Sequence, residues 1–417
     1  MAQIELPYGE TTVSMEVPDC HLSGVLEGKE TPDAALEEAF ESGWERPFGM
    51  DDPAALFHPG ENVVVVVTDH TRRTPTYDLF PLVWGKIRSR VSAANVTLVV
   101  ATGTHRSPTD EELERMLGDL RREFRVVVHD CDGETVHVGT SSQGTPIFLN
   151  RTVVEADRII SLGHVGMHYY AGYSGGRKNI LPGVAGRETI AMNHARMDDP
   201  RSGACIYEGN LINEEMVEAA AMVGLDLVID VVFGREGRVA NVVVGRPDEA
   251  HAAARAFWDR FFQVPFQEPG DLVIASAGGH PKDINLYQAY KGQYNAMRTV
   301  RDGGILLLVA ACPDGIGHPV FEDWIMRSRR PEDVLSIYDR EGFTLGGHKA
   351  LYHARDLKKA RIHLLSELDE ETVRRFFMEP VHDPEAVVRM ATREFGEGCR
   401  ILVIPHAAEV FPVRCDT

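Results

Sequence analysis

Paired cysteines are missing from this chain. Its six cysteines (Cys20, Cys131, Cys205, Cys312, Cys399 and Cys415) are scattered, none in a C-x-x-C pair. That argues against zinc-ribbon and thioredoxin-type chemistry and fits free thiols in a reducing compartment. Positive charge is scarce as well: 43 Lys and Arg stand against 63 Asp and Glu, a net charge of −20. No basic footprint exists for nucleic acid or for an anionic membrane surface. An anionic ligand would need cations gathered locally against the overall field. Long hydrophobic runs are lacking too. The longest, such as 63–67 and 305–311, fall far short of a bilayer span. The N-terminus has no basic stretch leading into an apolar one, so no signal peptide is read. The cytoplasm is the expected location. No internal repeat and no low-complexity tract is visible.

What is present is an ordinary globular composition, 43% apolar and 25% charged over 417 residues, enough for two or three domains. Residues 1–18 read as two short strands, and 32–43 as a helix. The five valines of ENVVVVVTDHTRRTP fit a strand buried on both faces. A helix over 77–90, a second buried strand in VTLVVATGTHRSP and a helix opening with TDEE follow. Strand, loop, helix in repetition predicts a parallel α/β sheet, whose loops after the strand carboxyl ends form the binding crevice. The polar loops DHTRR and GTHRS fall there. Further strands are read in ADRIISLGHVG, LDLVIDVVF and VANVVVG, and a helix over 248–262. The Pro/Gly cluster at 263–270 marks a boundary, giving domains 1–266 and 267–417. The second half repeats the alternation, from DLVIASAGG to the final CRILVIPH.

The segment 161–196 is richest in chemistry. It holds His164, His168, Gly172, Gly175, Gly176, Arg177, Lys178 and His194. The run GYSGGRKN departs from a phosphate-binding P-loop, because Arg177 separates Gly176 from Lys178 and Asn179 stands where Ser or Thr is needed. His164 and His168 are four apart, but the glycines around them argue against a zinc-binding helix face. His70 and His105 each follow a buried strand, where a histidine serves as general acid or base. Arg72 and Arg73 suit bidentate binding of a carboxylate or phosphate. Tyr287, Gln288 and Lys291 lie on a predicted helix, with Lys291 on the face of Tyr287.

DHTRRTP (69–75), ATGTHR (101–106), HYYAGYSGGRKNILPG (168–183), the Asn193-His194 pair and SAGGHPKDINLYQAYKG (276–292) together resemble the nickel-dependent lactate racemase family over nearly the whole chain. The resemblance implies two α/β domains with mainly parallel sheets and an active-site cleft between them. It implies a nickel-pincer nucleotide, a pyridinium mononucleotide with thioamide and thiocarboxylic acid arms that carries nickel. Lys178 matches the lysine that tethers it, and His194 the histidine ligand of nickel. His105 and His168 match the paired acid/base histidines. Asp69, Gly175 and Gly176 match the cofactor pocket. Arg72, Tyr287, Gln288 and Lys291 match substrate-binding positions, with Lys291 the expected carboxylate partner. Separate maturation enzymes are the implied protein partners, and a small 2-hydroxy acid the implied substrate.

The implied chemistry is coherent. A Cα–H beside a carboxylate is too weak an acid for histidine alone, whereas hydride removal with loss of the hydroxyl proton gives a stable 2-keto acid, and a cofactor must carry that hydride. Inversion moves the hydroxyl, so two bases, one per enantiomer, answer the geometry. The backbone of 172–176 or the start of a helix could donate to the cofactor phosphate. One departure stands out: LGGHKA, with His348, occupies the stretch where the family's characterised racemase has an aromatic residue, so the substrate side chain is expected to differ from a methyl group. His164 has no assigned role. The competing readings are a zinc hydrolase or lyase using His164, His168 and His194, and a non-catalytic protein that binds a hydroxy acid or nucleotide.

Overall fold

The structure is a computed structural model describing residues 1–234, 237–342 and 344–415. Two units pack separately, one of residues 30–260, the other of residues 1–29 with 261–417.

The unit 30–260 is built on a six-stranded sheet. From edge to edge it runs Val239–Gly245, Leu227–Phe233, Arg158–Val165, Val63–Thr68, Val96–Ala101 and Arg125–Val128. All neighbours are parallel except the first pair. The valine strand Val63–Thr68 is buried at every position, as a strand covered on both faces must be. On one face Val63, Val65 and Val67 pack with Phe80, Val83 and Ile87 of the helix Thr76–Ile87, and with Phe40 and Trp44 of Leu36–Glu45. Each fully buried valine contributes about 1.5–3 kcal/mol, more than the ~1 kcal/mol of a typical loop hydrogen bond. The sheet therefore sets the frame and the loops conform to it. The TDEE helix is Asp110–Leu117, opened by a capping box between Thr109 and Glu112.

Strand order places the crevice. The chain builds Val63–Thr68, then Val96–Ala101, then Arg125–Val128 outward on one side, and returns with Arg158–Val165 on the other side of Val63–Thr68. Loops leaving the carboxyl ends of these two central strands diverge, the condition for a ligand crevice in an open α/β sheet. Asp69 and Arg72 follow one strand; His164 lies at the end of the other and His168 follows it.

The second unit repeats the plan with strands Glu379–Val381, Arg361–Leu365, Val300–Val309, Gly270–Ser276, Ile401–Ile404 and Leu22–Val25, all parallel. Its last strand comes from the start of the chain. The hairpin Ala2–Tyr8/Thr11–Val17 also lies here, setting Ile4, Leu6, Met15 and Val17 against Leu272, Ile274, Ile305 and Leu307. The compact units divide at 260/261, with residues 1–29 joined to the later one. The reason is edge pairing and apolar burial far apart in sequence.

The helices Leu211–Val223, Pro319–Met326 and Gly347–Lys359 and the hairpin Thr135–Thr140/Pro146–Asn150 were not anticipated. Among the described residues no helix is long and apolar enough to cross a membrane.

Candidate active site

The glycine-rich segment of the first unit is a folded loop, and its neighbours explain its sequence. After Arg158–Val165, the two-residue strands Met167–His168 and Gly172–Tyr173 pair back on themselves. One 3-10 turn, Gly176–Asn179, then carries Lys178, and the helix Arg187–His194 ends on His194. Arg177 points inward. Its Nε donates to Asn213 Oδ1 at 2.8 Å, and its guanidinium donates to the carbonyls of Ala171 and Tyr173. Asn179 ties the turn to the sheet through Ser161 Oγ and the Leu162 carbonyl, both at 2.9 Å. Gly175 has φ +87, and a Cβ there would lie 2.6 Å from both Asp230 Oδ2 and Val165 Cγ2. Only glycine fits that conformation and that approach.

Asp230 lies fully buried under this loop, and burial raises its carboxyl to about 7 against the pull of the Gly176 N–H and Arg177. The Gly176 amide donates to Asp230, Ser174 to the Gly166 carbonyl and Tyr173 to the Ala171 carbonyl. These donors are already engaged within the protein.

Lys178 is partly open to solvent, yet its surroundings disfavour charge. Burial of the amine, then the charges of Arg72 and Arg177, hold its pKa well below the ordinary lysine value. Its Nζ lies 6.0 Å from the centre of the Tyr170 ring. The same ring stands 5.0 Å from His194 and edge-on to His168 at 4.5 Å. Tyr170 is the common neighbour of the lysine and both histidines. Sequence reading passed over it, although it sits inside the HYYAGY signal. Burial, followed by Lys178, Arg72, His194 and Arg177, keeps His168 neutral far below its usual range. The Ala171 N–H approaches its Nδ1 at 3.4 Å.

His194 is oriented from behind. The Asn193 amide nitrogen donates to the Ile212 carbonyl at 3.1 Å and to Glu215 at 2.8 Å, which turns Asn193 Oδ1 toward His194 Nδ1 at 3.1 Å. A carbonyl oxygen only accepts, so Nδ1 carries the proton and Nε2 the lone pair, the arrangement of a metal-ligating imidazole. The buried Glu215 is fixed in turn by Ser141 and Arg196.

Asp69 and His105 form a dyad. Asp69 Oδ2 accepts from His105 Nδ1 at 2.5 Å, while its other oxygen accepts from the Thr71 amide and hydroxyl. Burial alone would raise the Asp69 pKa, but the His105 and Thr71 hydrogen bonds and the charges of His105 and Arg72 carry it below the usual value. With Nδ1 donating to the carboxylate, the second ring nitrogen, Nε2, is turned away from Asp69. Asp69 is thereby placed as a holder of His105, a role its assignment to a cofactor pocket did not include. Arg72 is exposed and, among the described residues, forms no side-chain ion pair, yet its charge registers on Asp69, His168 and Lys178. His70 lies 3.9 Å from Glu112, a carboxylate engaged by Arg106.

His164 does not join a three-histidine metal site. Its Nδ1 lies 2.9 Å from Thr74 Oγ1, and burial with Arg72 and Arg73 lowers its pKa to about 4. Among the described residues the His/Cys/Asp/Glu trio within metal reach is Asp130, Cys131 and Asp132, remote in sequence from the three histidines of the zinc reading.

In the second unit Tyr287, Gln288 and Lys291 lie on the helix Leu286–Ala296, capped by Asn285 Oδ1. Burial raises the Tyr287 phenol to about 12. Lys291 is exposed.

The fold, with a buried-amine lysine, an imidazole presented through its second nitrogen and a carboxylate-held imidazole after its central strands, is that of a doubly wound α/β protein with a polar crevice. Residues 8–204 match the lactate racemase N-terminal domain family and residues 266–411 the lactate racemase C-terminal domain family. The lactate racemase of Thermoanaerobacterium thermosaccharolyticum is 32% identical over 98% of this chain and 99% of its own length. That of Lactiplantibacillus plantarum is 30% identical over the same shares. The solved lactate racemase apoprotein from T. thermosaccharolyticum superposes with a TM-score of 0.89, covering 99% of this chain and 100% of that one. A Thermotoga maritima protein, 18% identical with a TM-score of 0.60 over 92% of this chain and 100% of its own, shares the fold. The chain belongs to the lactate racemase family and is an isomerase.

Proposed function

We propose that this enzyme racemises or epimerises a 2-hydroxy carboxylic acid of the lactate type, using a nickel-pincer nucleotide tethered to Lys178. The observation that carries the reading is the Lys178–Tyr170–His194 arrangement. An amine whose pKa is lowered can condense with a thiocarboxylic acid arm, losing water, and so hold the group as a thioamide, and His194 would present Nε2 with its other nitrogen fixed by Asn193. Imidazole with sulfur donors suits nickel in a square-planar site. When bound, this group supplies the acceptor for the substrate's Cα hydride.

The protein's residues then have separable tasks. Arg72 in the first unit is assigned to the substrate carboxylate, and Tyr287, Gln288 and Lys291 are the substrate-binding residues assigned in the second. His105, held by Asp69, takes the hydroxyl proton of one enantiomer at Nε2. His168, kept neutral by its surroundings, does so for the other. For inversion the new hydroxyl takes its proton from the other histidine, which must start protonated, so each acts as base in one direction and acid in the other. Maturation enzymes that build the nucleotide are the expected protein partners, and the cytoplasm the expected compartment.

The test is co-expression with such maturation enzymes followed by chiral chromatography of single-enantiomer 2-hydroxy acids. Loss of optical purity for at least one, with nickel bound and a mass increment on Lys178, is the expected result. Zinc in place of nickel, with no increment and no isomerisation, would return the hydrolase reading.

A further inference from the structure

We propose that the second unit carries an anion-binding subsite built from Lys349, His318 and the neighbouring Lys291, and that it selects a 2-hydroxy acid with a second anionic group, carboxylate or phosphate, on its side chain. The proposal rests on the function proposed above and narrows its substrate.

Lys349 is only 4% exposed. Its Nζ donates to the Tyr287 carbonyl at 2.5 Å and lies 3.7 Å from the Tyr287 ring centre. A lysine ammonium has three donors, and among the described residues no carboxylate pairs with this one. The one charge that registers on it is the like charge of Lys291, which adds to burial in lowering its pKa. Lys349 also stands in the first turn of Gly347–Lys359, which holds no acidic residue, at the helix end where the dipole disfavours a cation. Burial, dipole and neighbour all oppose this charge, and a bound anion would offset all three.

The surroundings supply donors. His318 stacks on Tyr287 at 4.7 Å and packs against the Gly346 backbone. Its Nδ1 accepts the Val320 N–H at 3.3 Å, so the neutral ring carries its proton on Nε2. Burial, then the charge of Lys349, lowers its pKa. His348, the next residue along the chain from Gly347, is buried and lowered to about 4 by burial and then Lys349. A single carboxylate is already provided for in this unit by Lys291, so Lys349 and His318 exceed its needs. A methyl side chain would gain nothing from a buried amine.

The experiment compares lactate, malate and 3-phosphoglycerate as single enantiomers with the cofactor-loaded enzyme. The expected result is a kcat/KM at least tenfold higher for malate or 3-phosphoglycerate than for lactate; whichever leads identifies the group as carboxylate or phosphate. Lys349→Gln is expected to remove at least tenfold of that advantage through KM, and Lys349→Arg to restore part of it. A preference for lactate, or an equal loss on all three acids, overturns the subsite. If no acid is racemised, the functional reading fails, and calorimetry of the cofactor-free full chain with malate decides the subsite alone. Binding lost in Lys349→Gln supports it, and no difference overturns it. If Lys349→Gln melts early in circular dichroism, His318→Gln replaces it in both assays.

Discussion

The two units share a plan and differ in what their loops carry. Each winds a six-stranded sheet that reverses its order beside a central strand. In the unit 30–260 the loops after the central strands hold a lysine, two imidazoles and a carboxylate that act on one another's protonation. In the other unit the corresponding helix and its neighbours hold lysines and imidazoles with no acidic partner in their first turns. In the function proposed above one unit serves chemistry and the other recognition, because the strands fix positions while the loops choose groups. The contrast is sharpest between Lys178 and Lys349. Both are depressed by burial, but one faces a tyrosine ring shared with two histidines and the other donates to a backbone carbonyl.

That contrast can be broken experimentally. Lys178→Ala is expected to abolish covalent loading, leaving the intact mass of the bare chain after co-expression with maturation enzymes, whereas Lys349→Gln gains the same mass as the parent. Loading in both, or in neither, removes the distinction. Next in size, Asp69→Asn releases His105 from its carboxylate. Turnover should fall about 10²–10⁴-fold, the range contributed by a positioned acid or base, and initial rates from the two enantiomers should diverge. Equal, small losses from both would place Asp69 outside the mechanism. The smallest effects concern stability. Gly175→Ala meets Asp230 and Val165 at φ +87 and should cost about 2–4 kcal/mol. Gly396→Ala, at φ +73 with open space around it, should cost about 1–2 kcal/mol. Scanning calorimetry of both variants checks the order.

Much of this was legible in the sequence. The valine strand and the two polar loops that follow buried strands announced a parallel sheet with a crevice, because burial on both faces leaves a continuous apolar run. The cluster of Lys178, His168 and His194 was legible because it lies in one short segment. Three features were not. Tyr170 acquires its role only when the Met167–His168/Gly172–Tyr173 ladder folds it between Lys178 and His194. The Asn193–Glu215 support joins the helices Arg187–His194 and Leu211–Val223, and the second of these was not anticipated. The pairing of Leu22–Val25 with Ile401–Ile404 spans almost the whole chain, beyond the reach of local pattern. Glycines signal close approach, and at Gly175 the approaching group is the protein's own Asp230.

That long-range strand pairing has a consequence during synthesis. As the polypeptide leaves the ribosome, the portion up to residue 260 holds everything its sheet requires and can fold at once. The first 29 residues must wait with their greasy stripe unshielded until the sheet behind them has been translated, and the strand at 22–25 until residues 401–404 arrive. A premature stop codon near the 3′ end would therefore strand both extremities of the molecule and spare its middle.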